Sequence, residues 1–281
     1  MKSTLHILGA ALLALSVTTA AAQKYGGPQP LSFSTVSATA EQGTTSAEVS
    51  IEYPTTGGEA FLCGFRTVLQ SRLAELMHAA QEEDAEEKPA FTSDLSETPR
   101  TAVCFFTDEA LKFQRLNFFD PEAENEDSEV VFDPEGCPPC GFDFTCSKLF
   151  ANYHFASFEH IGDVYLGGAH GMPVTDVYTI AREDGKLVRM EDIFPASTHR
   201  KLKAIVYRHL LDEYDGEDVF WEDASTHLPD ALGVALVEDG VRFQYDAYEI
   251  GAYAIGTPTV TIPYPELTSI MSEKAKRWIR N

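Results

Sequence analysis

The chain has 281 residues, and 44 Asp and Glu against 21 Lys and Arg give it a formal net charge of −23. Such a field repels phosphates and anionic lipid surfaces, which excludes DNA and RNA as partners and favours cationic ones at low salt. The length suffices for one large domain or two modest ones with a true hydrophobic core, so no disulfide or metal is needed as a staple.

The first segment, residues 1–22, reads MKSTLHILGAALLALSVTTAAA. Lys2 precedes an apolar stretch from Leu5 to Val17, and the small residues Ala20 and Ala22 stand before Gln23. That is the order of a cleavable secretory signal. The apolar run is shorter than the ~20 residues of a spanning helix, and no later segment comes closer. The expected mature protein begins at Gln23, has no membrane span, and works in the periplasm or as a secreted protein.

Leu31–Thr39 and Ala47–Tyr53 are β-prone runs around the turn-rich stretch EQGTTS and predict a hairpin with one buried face. The period then changes: Phe61, Phe65, Val68, Leu69, Leu73, Leu76 and Met77 recur at three- and four-residue steps and predict an amphipathic helix. Residues 81–100 and 120–136 are acidic and rich in turn formers, and they bracket a second helix at about Val103–Phe118. Both acidic stretches read as solvated loops. Carboxylates crowd from Asp120 to Glu129, but no glycine stands where a calcium loop needs its sharp turn.

The five cysteines are Cys63, Cys104, Cys137, Cys140 and Cys146. In an oxidising compartment they predict disulfides, at least one of them within the Cys137, Cys140, Cys146 cluster, with an odd thiol left over. Zinc, with His154 as a fourth ligand, and Cys-x-x-Cys redox chemistry are the alternatives. A redox pair wants its first thiolate at a helix amino terminus, whereas this pair follows an acidic loop and precedes Gly141. No cofactor and no resident metal is expected.

From Leu149 the chain is strand-rich. Short strands are predicted at Asn152–Phe158, Asp163–Leu166, Val174–Ala181 and Lys186–Met190, then a helix at Thr198–Tyr214. Strands at Leu232–Val237, Val241–Tyr245 and Thr259–Ile262 follow, and a last helix at about Tyr264–Ile279. Strands grouped beside a few helices predict an α+β fold with antiparallel sheets and two lobes. The lobes are residues 23–160, with an insertion at about 81–147, and residues 161–281.

No zinc-protease motif, serine elbow, phosphate loop or dinucleotide fingerprint is present. In YLGGAHG the glycines permit positive φ, so the turn presents Tyr165 and His170 to something else. The competing reading is a tight strand connection in which His170 packs locally.

Two stretches carry a family resemblance, Tyr165–Phe194 and Gly240–Leu267. Their signature residues are Tyr165, Gly167 to His170, Gly185-Lys186, Asp192-Ile193-Phe194, Tyr248-Glu249-Ile250, Tyr253, Gly256 and Ile262-Pro263-Tyr264. They resemble the carboxy-terminal domain shared by the anti-sigma factor RsiV and PdaC-type peptidoglycan deacetylases, and Ser50–Met77 resembles its amino-terminal partner domain. The resemblance implies a PdaC-like first lobe, an RsiV-like second one, and a role in the cell envelope as a non-enzymatic receptor. Its partner would be a basic protein such as lysozyme, or peptidoglycan fragments. Ala252 stands where the family pattern has Pro before Tyr253. The binding residues so implied are Tyr165, Gly168, His170, Tyr248, Glu249 and Tyr253. The alternative is an envelope glycan hydrolase using Glu249, Asp246 or His170, which requires two carboxylates across a cleft.

Overall fold

In a computed structural model the described residues are 30–78, 89–118, 133–214, 219–222 and 228–280. The signal segment, the crowded carboxylates of 120–129 and most of the acidic run after Gln81 lie outside them.

The larger of two sheets has five strands in chain order: β1 (Phe33–Gln42), β2 (Thr45–Pro54), β3 (Cys140–Ala151), β4 (Phe155–Tyr165) and β5 (Met172–Ala181). All neighbours are antiparallel except β2 and β3, which pair parallel from Thr45 opposite Cys140 to Ile51 opposite Cys146. A parallel pair needs a crossover. Two helices lie along it, α1 (Glu59–His78) and α2 (Thr98–Phe118). The period read in α1 is the observed one, since Phe61, Phe65, Leu69, Leu73, Leu76 and Met77 are all buried. They meet Ala47, Val49 and Ile51 of β2 and Phe142, Phe144 and Cys146 of β3 in one core. Phe158 packs inside it, with ring centroids 4.6 Å from Phe65 and 5.6 Å from Tyr178.

The backbone of α1 touches the turn after β5. A Cβ at Gly64 would stand 1.9 Å from the Gly185 carbonyl oxygen, and Gly185 holds φ +70. Side chains are thus excluded from both partners of the contact, and the helix lies directly on the turn.

The smaller sheet is β6 (Gly233–Leu236), β7 (Gly240–Gln244) and β8 (Thr259–Pro263), antiparallel throughout, as expected from the run of strands after residue 232. It shares a second core with α3 (Met190–Ile193), α4 (His199–Glu213), α5 (Tyr264–Leu267) and α6 (Glu273–Trp278). The two sheets join at a buried polar seam. Ser157 and Thr179 hydroxyls lie 2.8 Å apart; Ser157 donates to the Leu236 carbonyl, and the Leu236 N–H donates to Thr179. The α+β class with grouped strands and a few packed helices is therefore the observed one.

Several elements differ from the sequence reading. Residues 140–147, assigned to an insertion, form the middle of the large sheet, because Phe142, Phe144 and Cys146 alternate inward against Asp143 and Thr145. The two short strands at 152–166 are one strand, β4. The predicted strand at Lys186–Met190 is a single bridge from Leu187 to Ile180, followed by α3. The last helix is broken at Ser272, whose hydroxyl accepts from the Ala275 N–H and donates to the Asp192 carbonyl. Residue 160, the expected end of the first lobe, falls inside β4, and the large sheet runs on to Ala181.

The expected disulfides are corrected as well: all five cysteines are free thiols. Cys140 and Cys146 are buried on one face of β3, six residues apart. That separation is about 20 Å along a strand, far beyond the reach of a bridge. Burial pushes both thiols up, so they serve as small apolar core groups. Cys63 is exposed on α1 and Cys104 half-buried on α2. Among the described residues no three His, Cys, Asp or Glu gather as a metal site would require, His154 included.

Candidate functional site

The two loops that carry the sequence signature meet. The first connects β4 to β5 through Gly167 and Gly168, both at positive φ. The Tyr165 hydroxyl donates to the Gly168 carbonyl (3.0 Å), and the His170 Nδ1–H donates to the Gly171 carbonyl (2.9 Å). Asp163 closes over Gly171, where a Cβ would stand 2.3 Å from its carboxylate oxygen and would push that side chain aside.

The second loop follows β7. The Glu249 N–H donates to the Asp246 carbonyl (3.2 Å), and the Glu249 carboxylate accepts from the Asp246 N–H (2.9 Å), closing a four-residue turn. Tyr248 sits in this turn at φ +70, and no other non-glycine among the described residues has positive φ. A short helical turn at Tyr253–Ile255 completes the loop.

Tyr253 joins the loops. Its hydroxyl donates to the Gly171 carbonyl (3.0 Å), its ring stacks on His170 at 4.1 Å and 25°, and Tyr248 lies 5.4 Å from its other side. The result is a ladder of three rings, His170, Tyr253 and Tyr248, open to solvent at both ends. Tyr248 is 49% exposed and Trp221, whose Nε1–H donates to the Tyr248 carbonyl (3.1 Å), is 45% exposed. Of the expected binding residues, His170, Tyr248 and Tyr253 form the ladder. Tyr165, Gly168 and Glu249 shape the turns that hold it.

Positive φ costs a β-carbon residue about 1–2 kcal/mol, and such strain gathers at functional positions. Tyr248→Gly should therefore raise stability by up to about 1 kcal/mol in urea unfolding, after the loss of its ring contacts. A lower midpoint would mean that the ring contributes more than the backbone strains.

A cleft of about 380 Å³ opens beside the ladder, between α1, the β4–β5 strands and the Asp246 turn. Its wall is part apolar, from Leu76, Val174, Met172 and Leu232, and part charged, from Arg72, Asp176 and Asp246. Arg72 Nε lies 2.7 Å from Asp176 Oδ2 in an ion pair without hydrogen-bond alignment, and Nη1 donates to Glu75 (3.0 Å). Burial, with the Asp246 and Glu75 charges nearby, raises Asp176 to about 6 in spite of Arg72. Burial likewise raises Asp246 and Glu249.

His160 lines the same cleft and is 2% exposed. Its Nε2 shares a 2.8 Å hydrogen bond with the Tyr178 hydroxyl, while Nδ1 has no partner. Burial, then the Arg72 charge, lowers it to about 3, so the ring is neutral. Sequence reasoning missed Arg72, His160 and Asp176. The available signal was a histidine and an aspartate at mid-strand, in FASFEHIGDVY and VTDVYTI, on the strand face they share with Phe158 and with Val174 and Tyr178.

The second ladder loop, with the strands on either side of it, has a counterpart among known families. Residues 191–265 match DUF3298. That family is described as a protein of unknown function, and its match takes in α4, β6–β8 and the Tyr248–Tyr253 loop but not the His170 loop. The chain is also similar to the crystal structure of a DUF3298 family protein from Pseudomonas aeruginosa. The TM-score is 0.56 at 17% identity, covering 88% of this chain and 96% of that one. A DUF3298 family member from Bacteroides fragilis gives a TM-score of 0.57 at 15% identity, covering 87% and 94%. At such identities the likeness is one of fold, and it extends well beyond the matched segment. No curated protein matches the chain.

Proposed function

We propose that this is an exported, non-enzymatic binding protein of the cell envelope, and that the His170–Tyr253–Tyr248 ladder is the face that docks its partner. The observation that carries this reading is the convergence of two loops, 82 residues apart in sequence, on one exposed aromatic stack held by a hydrogen bond from Tyr253 to Gly171. Rigid tyrosines give large contact area at low entropy cost and are enriched at interface hot spots. The excess of carboxylates suits a basic partner such as a lysozyme, in keeping with the resemblance to the RsiV/PdaC-type module; peptidoglycan fragments are the second ligand class.

The hydrolase reading is weaker on geometry. Asp246 and Glu249 occupy one turn, and the Glu249 carboxylate accepts a hydrogen bond from Asp246's own N–H, so the two do not face each other across a substrate. His170 spends Nδ1 on the Gly171 carbonyl.

Hen lysozyme and soluble peptidoglycan fragments, titrated calorimetrically into the mature protein, test the proposal. Tyr253→Ala should weaken binding by about 30-fold or more, the size of a hot-spot loss, and His170→Ala by less. Association should slow as salt rises. Unchanged affinity in both variants, with melting temperatures intact, would place the binding face elsewhere.

A further inference from the structure

We infer that the cleft beside the ladder is a receptor for a lysine side chain. The inference rests on the binding reading above only in assigning that lysine to the docked partner. The cleft and the ladder share their loops: Met172 follows the Gly171 that Tyr253 holds, and Asp246 and Ala247 lead directly into Tyr248. A partner lying on the rings therefore covers the mouth of the cleft.

The lining specifies the occupant. Arg72 already has two carboxylates, Asp176 and Glu75. Asp246 is left over, since among the described residues its carboxylate makes no ion pair and no hydrogen bond, although it lines the wall. The cleft thus holds one guanidinium against three carboxylates, an excess of two negative charges, and Asp246 is the carboxylate that no cation within the cleft pairs. The remaining wall, from Leu76 through Val174 to Met172 and Leu232, matches a stem of four methylenes rather than a polar chain. The charge required is compact, because a second planar fork would crowd the resident Arg72 guanidinium with a like charge, whereas an ammonium is a point charge at the end of a slender stem. At the floor, His160 keeps an unpartnered ring nitrogen in a fully buried setting, as a ligand pocket does and a closed core rarely does.

The test uses the whole mature chain and small probes. Nα-acetyl-lysine methylamide is titrated and followed by ¹H–¹⁵N chemical shifts, with the norleucine and arginine analogues alongside. Lysine should bind at least about tenfold tighter than either analogue, and Asp246→Asn should cost about tenfold. Leu232→Trp, a change at a 46% exposed rim position, should block the cleft if Asp246→Asn fails to fold. Norleucine binding as well as lysine, a preference for arginine, or no effect of either cleft variant overturns the inference. Probe binding without lysozyme binding upholds the cleft and defeats the ladder; lysozyme binding through Tyr253 with no probe binding does the reverse.

Discussion

Asp176→Asn should make the protein more sensitive to acid, with a cost that grows by up to about 3 kcal/mol between pH 6 and pH 4. Two buried groups near Arg72 pull in opposite directions over this window. Asp176 is raised by burial to about 6, so the folded chain holds its proton where the unfolded chain has lost it; the stabilisation is fully present below about pH 4 and lost as pH rises through 6. His160 is lowered by burial to about 3, so the unfolded chain takes a proton that the folded chain refuses. Its contribution is fully present above about pH 6.5 and is lost as pH falls toward 3. Between 4 and 6 the slopes cancel, one proton against one. Removing the carboxylate leaves the histidine unopposed, and removing the imidazole with His160→Gln leaves an arm that gains stability on acidification. Urea midpoints at pH 7, 6, 5 and 4 for the parent and both variants measure the effect. Parallel profiles for Asp176→Asn and the parent would show that the two groups are not coupled to folding in this way.

The second large effect belongs to Gly64. Its missing side chain lets α1 lie on the Gly185 turn, and the new Cβ of Gly64→Ala would meet backbone, 1.9 Å from a carbonyl oxygen, with no flexible side chain to yield. Relief requires shifting the helix that carries Arg72 and six buried side chains of the first core. Overpacking costs about 1–3 kcal/mol where side chains can adjust, and the upper end applies here, a fall in melting temperature on the order of 10 °C. Gly136→Ala is the control, since nothing lies within 4 Å of its Cβ and its φ is ordinary. A Gly64→Ala variant melting within 2 °C of the parent, roughly the shift expected from less than 1 kcal/mol, would refute the backbone contact.

The legible parts of this sequence were those in which one physical preference acts alone. The apolar period of α1, the alternation in β2 and the Glu238-Asp239-Gly240 turn between β6 and β7 each speak for a single structure, and the structure has it. The ladder was half legible, because glycines and tyrosines marked two loops but only the fold could bring them together. β3 was hidden by its cysteines and by acidic flanks, although Phe142 and Phe144 keep the strand period. β4 was split in two because His160 looks like an interruption; in the sheet it is an inward residue satisfied on one side by Tyr178. The same tertiary pairing hides the cleft, whose charges come from α1, from β5 and from the Asp246 turn after β7, elements that no local pattern brings together.

The parallel pairing of β2 with β3 also sets the order in which the chain can assemble. The β1–β2 hairpin closes over a two-residue turn, a microsecond event for a local hairpin. Its next partner begins at Cys140, so the edge of β2 stays unpaired until both crossover helices have been placed. Closing so long a loop before any reward is slow, and it leaves the β2 edge, with Val49 and Ile51, available to a second chain in the meantime. The step most exposed to misassembly is therefore the arrival of β3, and the crossover that delivers it is also what carries Arg72 to the rim of the cleft.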